Sequence, residues 1–195
     1  MRRLAIASAS ILTLVFASAC GTPAEGPATG AATANDGAAT EAFLADYDLS
    51  GKSVAEIVET LDATNDDRET GPFGSVRPGE LILTDEEREV RLPIEDAFYL
   101  SVAPYLTGTH ECYNHNLTSC QGELVEQEIG VTITGEDGAE IFAGPATTGP
   151  NGFAGFWLPK DTSATLTIDY AGRTATTQVS TGAEDPTCLT TMQLA

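Results

Sequence analysis

Residues 131–142 read VTITGEDGAEIF, and this stretch decides the fold class. Val131 and Ile133 alternate with threonines, Gly135-Glu136-Asp137-Gly138 supplies a turn, and Glu140-Ile141-Phe142 resumes the extended pattern. Alternation with period two, interrupted by Gly and Asp, is how a hairpin is written in sequence.

The same pattern continues toward the C-terminus. Gly149-Pro150-Asn151-Gly152 turns into Phe153–Leu158, and Ala164–Tyr170 sets Leu166 and Ile168 against threonines. Ala171-Gly172-Arg173 turns into Thr174–Ser180, and Cys188–Leu194 reads as a final strand. Short strands at regular intervals with Gly-rich turns predict a small β-sandwich or barrel over residues 107–195. Trp157, Phe153 and Tyr170 are assigned to its core.

Upstream the periodicity changes. Ser53-Val54-Ala55-Glu56 is a capping box, and Val54, Ile57, Val58 and Leu61 follow at helical spacing. Asn65-Asp66-Asp67 is expected to end this helix. Leu81 and Leu83, then Val90 and Leu92, alternate with polar neighbours around an acidic turn, which predicts a hairpin at 79–93. Phe98–Ala103 reads as a further strand stopped by Pro104. One helix and three strands make an α+β unit over residues 43–106. It is thin for a self-sufficient core, so a docking partner such as a second copy is expected.

The first nineteen residues have the form of an export signal. Arg2 and Arg3 precede a short apolar run, too short to span a bilayer, that leads into Ala17-Ser18-Ala19-Cys20. Small residues before a cysteine predict lipoprotein processing, with Cys20 carrying the lipid; an ordinary signal peptide with Cys20 left free is the alternative. Residues 20–42 are mainly Gly, Ala, Thr and Pro without apolar periodicity and are expected to form a flexible tether.

The chain carries 29 acidic residues against 9 basic ones, a formal charge of −20. Loss of Arg2 and Arg3 with the leader makes the remainder more negative still. Such a chain repels nucleic acid and anionic membrane surfaces.

Chemistry concentrates in residues 109–123, THECYNHNLTSCQGE, which hold Cys112, Cys120 and both histidines, His110 and His115. Cys188 is the third cysteine of the mature chain. Three thiols cannot all pair internally, so an exported protein keeps one over. Eight positions separate Cys112 from Cys120, so the intervening segment must turn back, and Asn114-His115-Asn116 permits this. Thiolates are soft donors that select Cu(I), and two thiols release two electrons on forming a disulfide. Such a cluster can reduce Cu(II) and hold the product on the third sulfur. His115, three residues after Cys112, is the better imidazole; His110 points elsewhere or serves in transfer. Met192 is assigned to core or rim.

Other readings stay open at this level. A Cys112–Cys120 disulfide with an inert Cys188 describes a structural surface β-sandwich. A thiol–disulfide oxidoreductase would use the same thiols but lacks a C-x-x-C motif. A Cys3His zinc site is chemically sound but lacks a short C-x2-4-C knuckle. No hydrolase, P-loop or dinucleotide motif is present, and no carboxylate pair rises above the acidic background.

SVRPGELILTD (75–85), FYLSVAPY (98–105), the Cys/His stretch at 109–123, GFAGFWLP (152–159) and PTCLTTMQL (186–194) together resemble the CueP family of periplasmic copper-binding proteins. The likeness runs from about residue 44 to the end. It implies a smaller N-terminal dimerisation domain followed by a β-rich domain bearing the three cysteines. It further implies copper, Cu(I) or Cu(II), as the bound ion, reduction of Cu(II) by thiols, and supply of copper to a copper–zinc superoxide dismutase in copper resistance. Carried over by position, the metal residues are Cys112, Cys120 and Cys188 with His115 and His110 nearby. Two departures are the expected lipid anchor and Asn116, where Ser is expected. The anchor would limit clients to those near the membrane.

Overall fold

The computed structural model describes residues 34–64 and 71–195. The signal segment, Cys20, most of the tether and the Asn65-Asp66-Asp67 helix end lie outside these residues. The chain is β-rich, with two helices and eleven strands among the described residues, and none of these helices is long and apolar enough to cross a membrane.

Helix α1 spans Ala34–Asp46 and so begins inside the stretch expected to be tether. Phe43 and Leu44, both buried, fix its last turns, and the alanines before them favour helix. Helix α2 spans Val54–Asp62. It has the predicted capping box: the Ser53 hydroxyl accepts from the Glu56 amide, and the Glu56 carboxylate accepts from the Ser53 amide at 2.8 Å. Ile57, Val58 and Asp62 are its buried residues.

The predicted hairpin forms as β2 (Glu80–Thr84) and β3 (Glu89–Pro93). Its partner, β1 (Phe73–Arg77), was not foreseen, because Gly74 and Ser75 interrupt any apolar alternation. The first sheet runs β3-β2-β1-β5, with β5 being His115–Asn116.

Strand β4 (Phe98–Val102) is where the predicted arrangement needs correction. It does not join the hairpin. It pairs antiparallel with β8 (Ala154–Leu158) and parallel with β11 (Cys188–Leu189) in a separate sheet. The reason lies in its two apolar faces. Phe98, Leu100 and Val102 enter the larger core, whereas Tyr99 enters the core built by α1, α2 and the first sheet. A strand buried on both sides cannot serve as the outer edge of a small unit.

The remaining strands follow the predicted order. These are β6 (Glu128–Gly135), β7 (Glu140–Thr147), β9 (Ser163–Tyr170) and β10 (Arg173–Ser180), in a sheet ordered β10-β9-β6-β7. Ile129, Val131, Ile133, Leu166 and Ile168 project from it into the larger core, which also buries Met192. The final strand is shorter than expected: beyond Leu189 only an isolated bridge between Tyr105 and Gln193 remains. A third, small cluster of Ala103, Cys120, Phe153 and Cys188 forms beside both cores.

Candidate metal centre

The centre is assembled by hydrogen bonds, to backbone groups in each case, that join four parts of the chain. Strand β11 runs parallel to β4, setting Cys188 opposite Ser101. The Cys188 amide donates to the Tyr113 carbonyl at 3.1 Å, which draws the Cys112 loop alongside. Thr109 Oγ1 donates to the Thr190 carbonyl at 2.5 Å, and Thr190 Oγ1 returns a bond to the His110 carbonyl at 2.6 Å. Behind the loop, the Glu123 carboxylate accepts from the amides of Leu106, Thr107 and Gly108 at 2.8–3.1 Å. These bonds hold its pKa down at about 2.

His115 lies on β5 opposite Val76. Its amide donates to Thr187 Oγ1 at 3.0 Å, and Thr187 donates in turn to the Val76 carbonyl at 2.7 Å. The turn that returns the chain to Cys120 falls after His115, at Asn116–Cys120, rather than across Asn114–Asn116. The Cys120 amide donates to the Asn116 carbonyl, and Asn116 Oδ1 accepts from the Thr118 amide at 3.1 Å. Asn116, where Ser was expected, thus makes a turn that Asn supports well.

Two glycine contacts explain otherwise silent parts of the sequence. Gly122 and Gly152 pack backbone to backbone, with the Gly122 amide donating to the Asn151 carbonyl at 2.7 Å. A Cβ on either would overlap the other's carbonyl, and Gly152 also has φ +78°. Gly155 leaves room for the Tyr99 hydroxyl.

The three sulfurs converge, an arrangement the sequence permitted without requiring, and the bridge joins Cys112 to Cys188. This corrects the Cys112–Cys120 pairing of the structural-sandwich alternative. Cys120 is the free thiol, 3.4 Å from the Cys112 sulfur. Strand β11 brings the Cys188 Cα within 5.7 Å of that of Cys112, inside the ordinary range for a disulfide. Two overlapping donor groups result, His110–Cys112–Cys120 and His115–Cys120–Cys188, each with ligand atoms within 4.8 Å of one another. Cys120 belongs to both.

The inner group is dry: His115, Cys188 and Cys120 are 0%, 2% and 8% exposed. The outer group is half-open, and His110 and Cys112 line a surface depression with Tyr105, Glu111 and Thr190. His110 Nε2 is buried without a hydrogen-bond partner. Phe153 packs against both imidazoles, with ring centroids 4.7 Å from His115 and 6.2 Å from His110. It belongs to the core as predicted, but to the part that walls this centre.

Sequence reasoning missed the carboxylate behind His115. Asp62 Oδ1 lies 2.8 Å from His115 Nε2. The same carboxylate accepts from the Tyr99 hydroxyl at 2.5 Å and from Asn151 Nδ2 at 2.7 Å. Burial pushes the Asp62 pKa up, but these bonds, led by His115, outweigh it and hold it below the usual range. For His115, burial pulls down, and the bonds to Asp62 and Cys120 raise the pKa to about 9. A signal for Asp62 did exist: it falls four residues after Val58, on the apolar stripe of α2.

The donors fit a soft ion. An orphaned buried imidazole nitrogen, a spare thiol and a second imidazole facing sulfur suit Cu(I) better than a hard cation. The model of the family described as periplasmic copper-binding protein CueP matches residues 56–193. The chain belongs to the CueP family. The crystal structure of S.CueP is similar to it at 41% identity with a TM-score of 0.77, covering 80% of this chain and 97% of that one. A comparison with curated proteins gives no match. CueP membership makes copper the ion of interest and places the chain outside the cytoplasm, in agreement with the sequence expectation.

Proposed function

We propose that this CueP family member captures copper as Cu(I) at Cys112, Cys120 and Cys188, with His115 and His110 as supporting imidazoles. The observation that carries this reading is the convergence of three sulfurs and two imidazoles into two donor groups sharing Cys120. In the reduced protein, two thiols give one electron each to two Cu(II) ions, yielding two Cu(I), one disulfide and two protons. Cys112 and Cys188 are the donating pair, and Cys120 with the histidines retains Cu(I) afterwards. The half-open His110–Cys112 face is the entry side, and the dry His115–Cys188 side shields bound Cu(I) from water.

The lipid anchor in this proposal is supported by the sequence, and the dimer and the client by the family likeness. Cys20 carries a lipid after removal of residues 1–19, anchoring the protein to the bacterial cell membrane on its periplasmic side or at the cell surface. The part built by α1, α2 and the β3-β2-β1 sheet pairs with a second copy, and the part that follows, with strand β4 added to it, binds copper. The client is a copper–zinc superoxide dismutase close to the same membrane.

The test is titration of the reduced mature protein with Cu(I) against a competing chelator. Tight stoichiometric uptake that is lost in Cys→Ser variants supports the proposal; absence of uptake ends it. A second reading, thiol–disulfide exchange, draws on the spare thiol of Cys120 lying 3.4 Å from a bridged sulfur. Insulin reduction without copper uptake would favour it.

A further inference from the structure

We infer that Asp62 is a positioning residue for the metal centre: it commits His115 Nε2 to a hydrogen bond, so that Nδ1 is the nitrogen offered to copper. The inference rests on the copper reading above and specifies how one of its ligands is presented.

The hydrogen-bond directions around Asp62 follow from its neighbours. Asn151 Oδ1 accepts from the Phe153 amide at 3.0 Å, which turns Asn151 Nδ2 toward Asp62 as a donor. That nitrogen bonds both the Asp62 carboxylate, at 2.7 Å, and the Asp62 carbonyl, at 3.0 Å. The Tyr99 hydroxyl lies 2.5 Å from the other carboxylate oxygen. Both oxygens are therefore acceptors, and the His115 nitrogen facing Oδ1 must carry a hydrogen. Nδ1 then faces the sulfurs, 3.7 Å from Cys188. A ring hydrogen-bonded on one side by a carboxylate is fixed in tautomer and orientation, and loss of such a partner typically costs about 10–100-fold in metal affinity.

The arrangement also joins distant parts of the chain. Asp62 closes helix α2, whereas His115 and the cysteines belong to the loop and strand segments that follow β4. Tyr99, from β4, braces the carboxylate at Oδ2, the oxygen that His115 does not use. Movement of α2 would thus be felt at the imidazole without any change to the ligands.

The test uses full mature protein labelled with 15N-histidine. With only two histidines, the ring signals are assignable through a His110→Ala variant. In the Cu(I)-loaded wild type, His115 should show metal on Nδ1 and a hydrogen on Nε2. Without metal, its Nε2 proton should be protected from exchange. Asp62→Asn should lower Cu(I) affinity about 10–100-fold, expose that proton and mix the tautomers. Copper bound through Nε2 in the wild type overturns the inference even if the variant fails to fold. Unchanged ring signals and affinity in Asp62→Asn overturn it equally. A wild type that takes up no Cu(I) overturns the copper reading and this inference together, so the two failures are distinguishable.

Discussion

Cys120 holds its sulfur 3.4 Å from that of Cys112 while Cys112 is bonded to Cys188. The three cysteines are therefore unequal. Two form the bridge, and the third is a buried thiol common to both donor groups.

That inequality separates reduction from retention. Anaerobic Cu(II) should consume two of the three thiols of the reduced mature protein and yield two Cu(I) per chain. Cys120→Ser should keep the full two-electron reduction but lose Cu(I) retention by at least 100-fold. Cys188→Ser should still reduce, by pairing Cys112 with Cys120. Thiol counts and a Cu(I) indicator dye read both quantities.

A pH effect is expected from Glu123. Its carboxyl is held at about 2 by the loop amides, below the ordinary value of 4.5. The folded state therefore binds this proton less readily than the unfolded one. The resulting stabilisation is present in full above about pH 5 and fades as pH falls toward about 2. Glu123→Gln should flatten the acid limb of stability between about pH 2 and 5, as read by urea melts.

The glycines that seat the centre should resist enlargement. Gly155→Ala pushes against the Tyr99 hydroxyl and should cost roughly 1–3 kcal/mol. Gly152→Ala adds a strained φ to an overlap with the Gly122 backbone and should cost roughly 2–4 kcal/mol. Thermal melts of the two variants give the order.

Ser53→Ala removes the cap of α2 and should destabilise by about 1 kcal/mol. The denaturant midpoint should fall without a change in slope. Because α2 also supplies Asp62, Cu(I) affinity in the same variant reports whether fraying reaches the site.

Local patterns were legible in the sequence. The capping box, the 79–93 hairpin and the β6–β10 order are written in neighbouring residues, whereas the meeting of three cysteines was permitted by the sequence but not fixed by it. Features set by remote packing were not. Strand β4 looked like part of the nearer unit because alternation does not tell which sheet a doubly buried strand joins. The bridge partner of Cys112 depends on a parallel pairing between β4 and β11, which no local pattern encodes. Asp62 was one acid among 29, and only its place on an apolar stripe set it apart.

The Cys112–Cys188 bridge spans 76 positions of chain. Closing a loop of that size restricts the unfolded state by about 4 kcal/mol in the chain-entropy account. A reduced, copper-free molecule has neither covalent nor metal cross-link across that span, so it is the form most open to proteases. Transfer of the two thiol electrons to Cu(II) closes that bridge and restores the missing cross-link. The arriving cargo would then protect its carrier, and the abundance of the protein outside the cytoplasm would follow how much Cu(II) it has met.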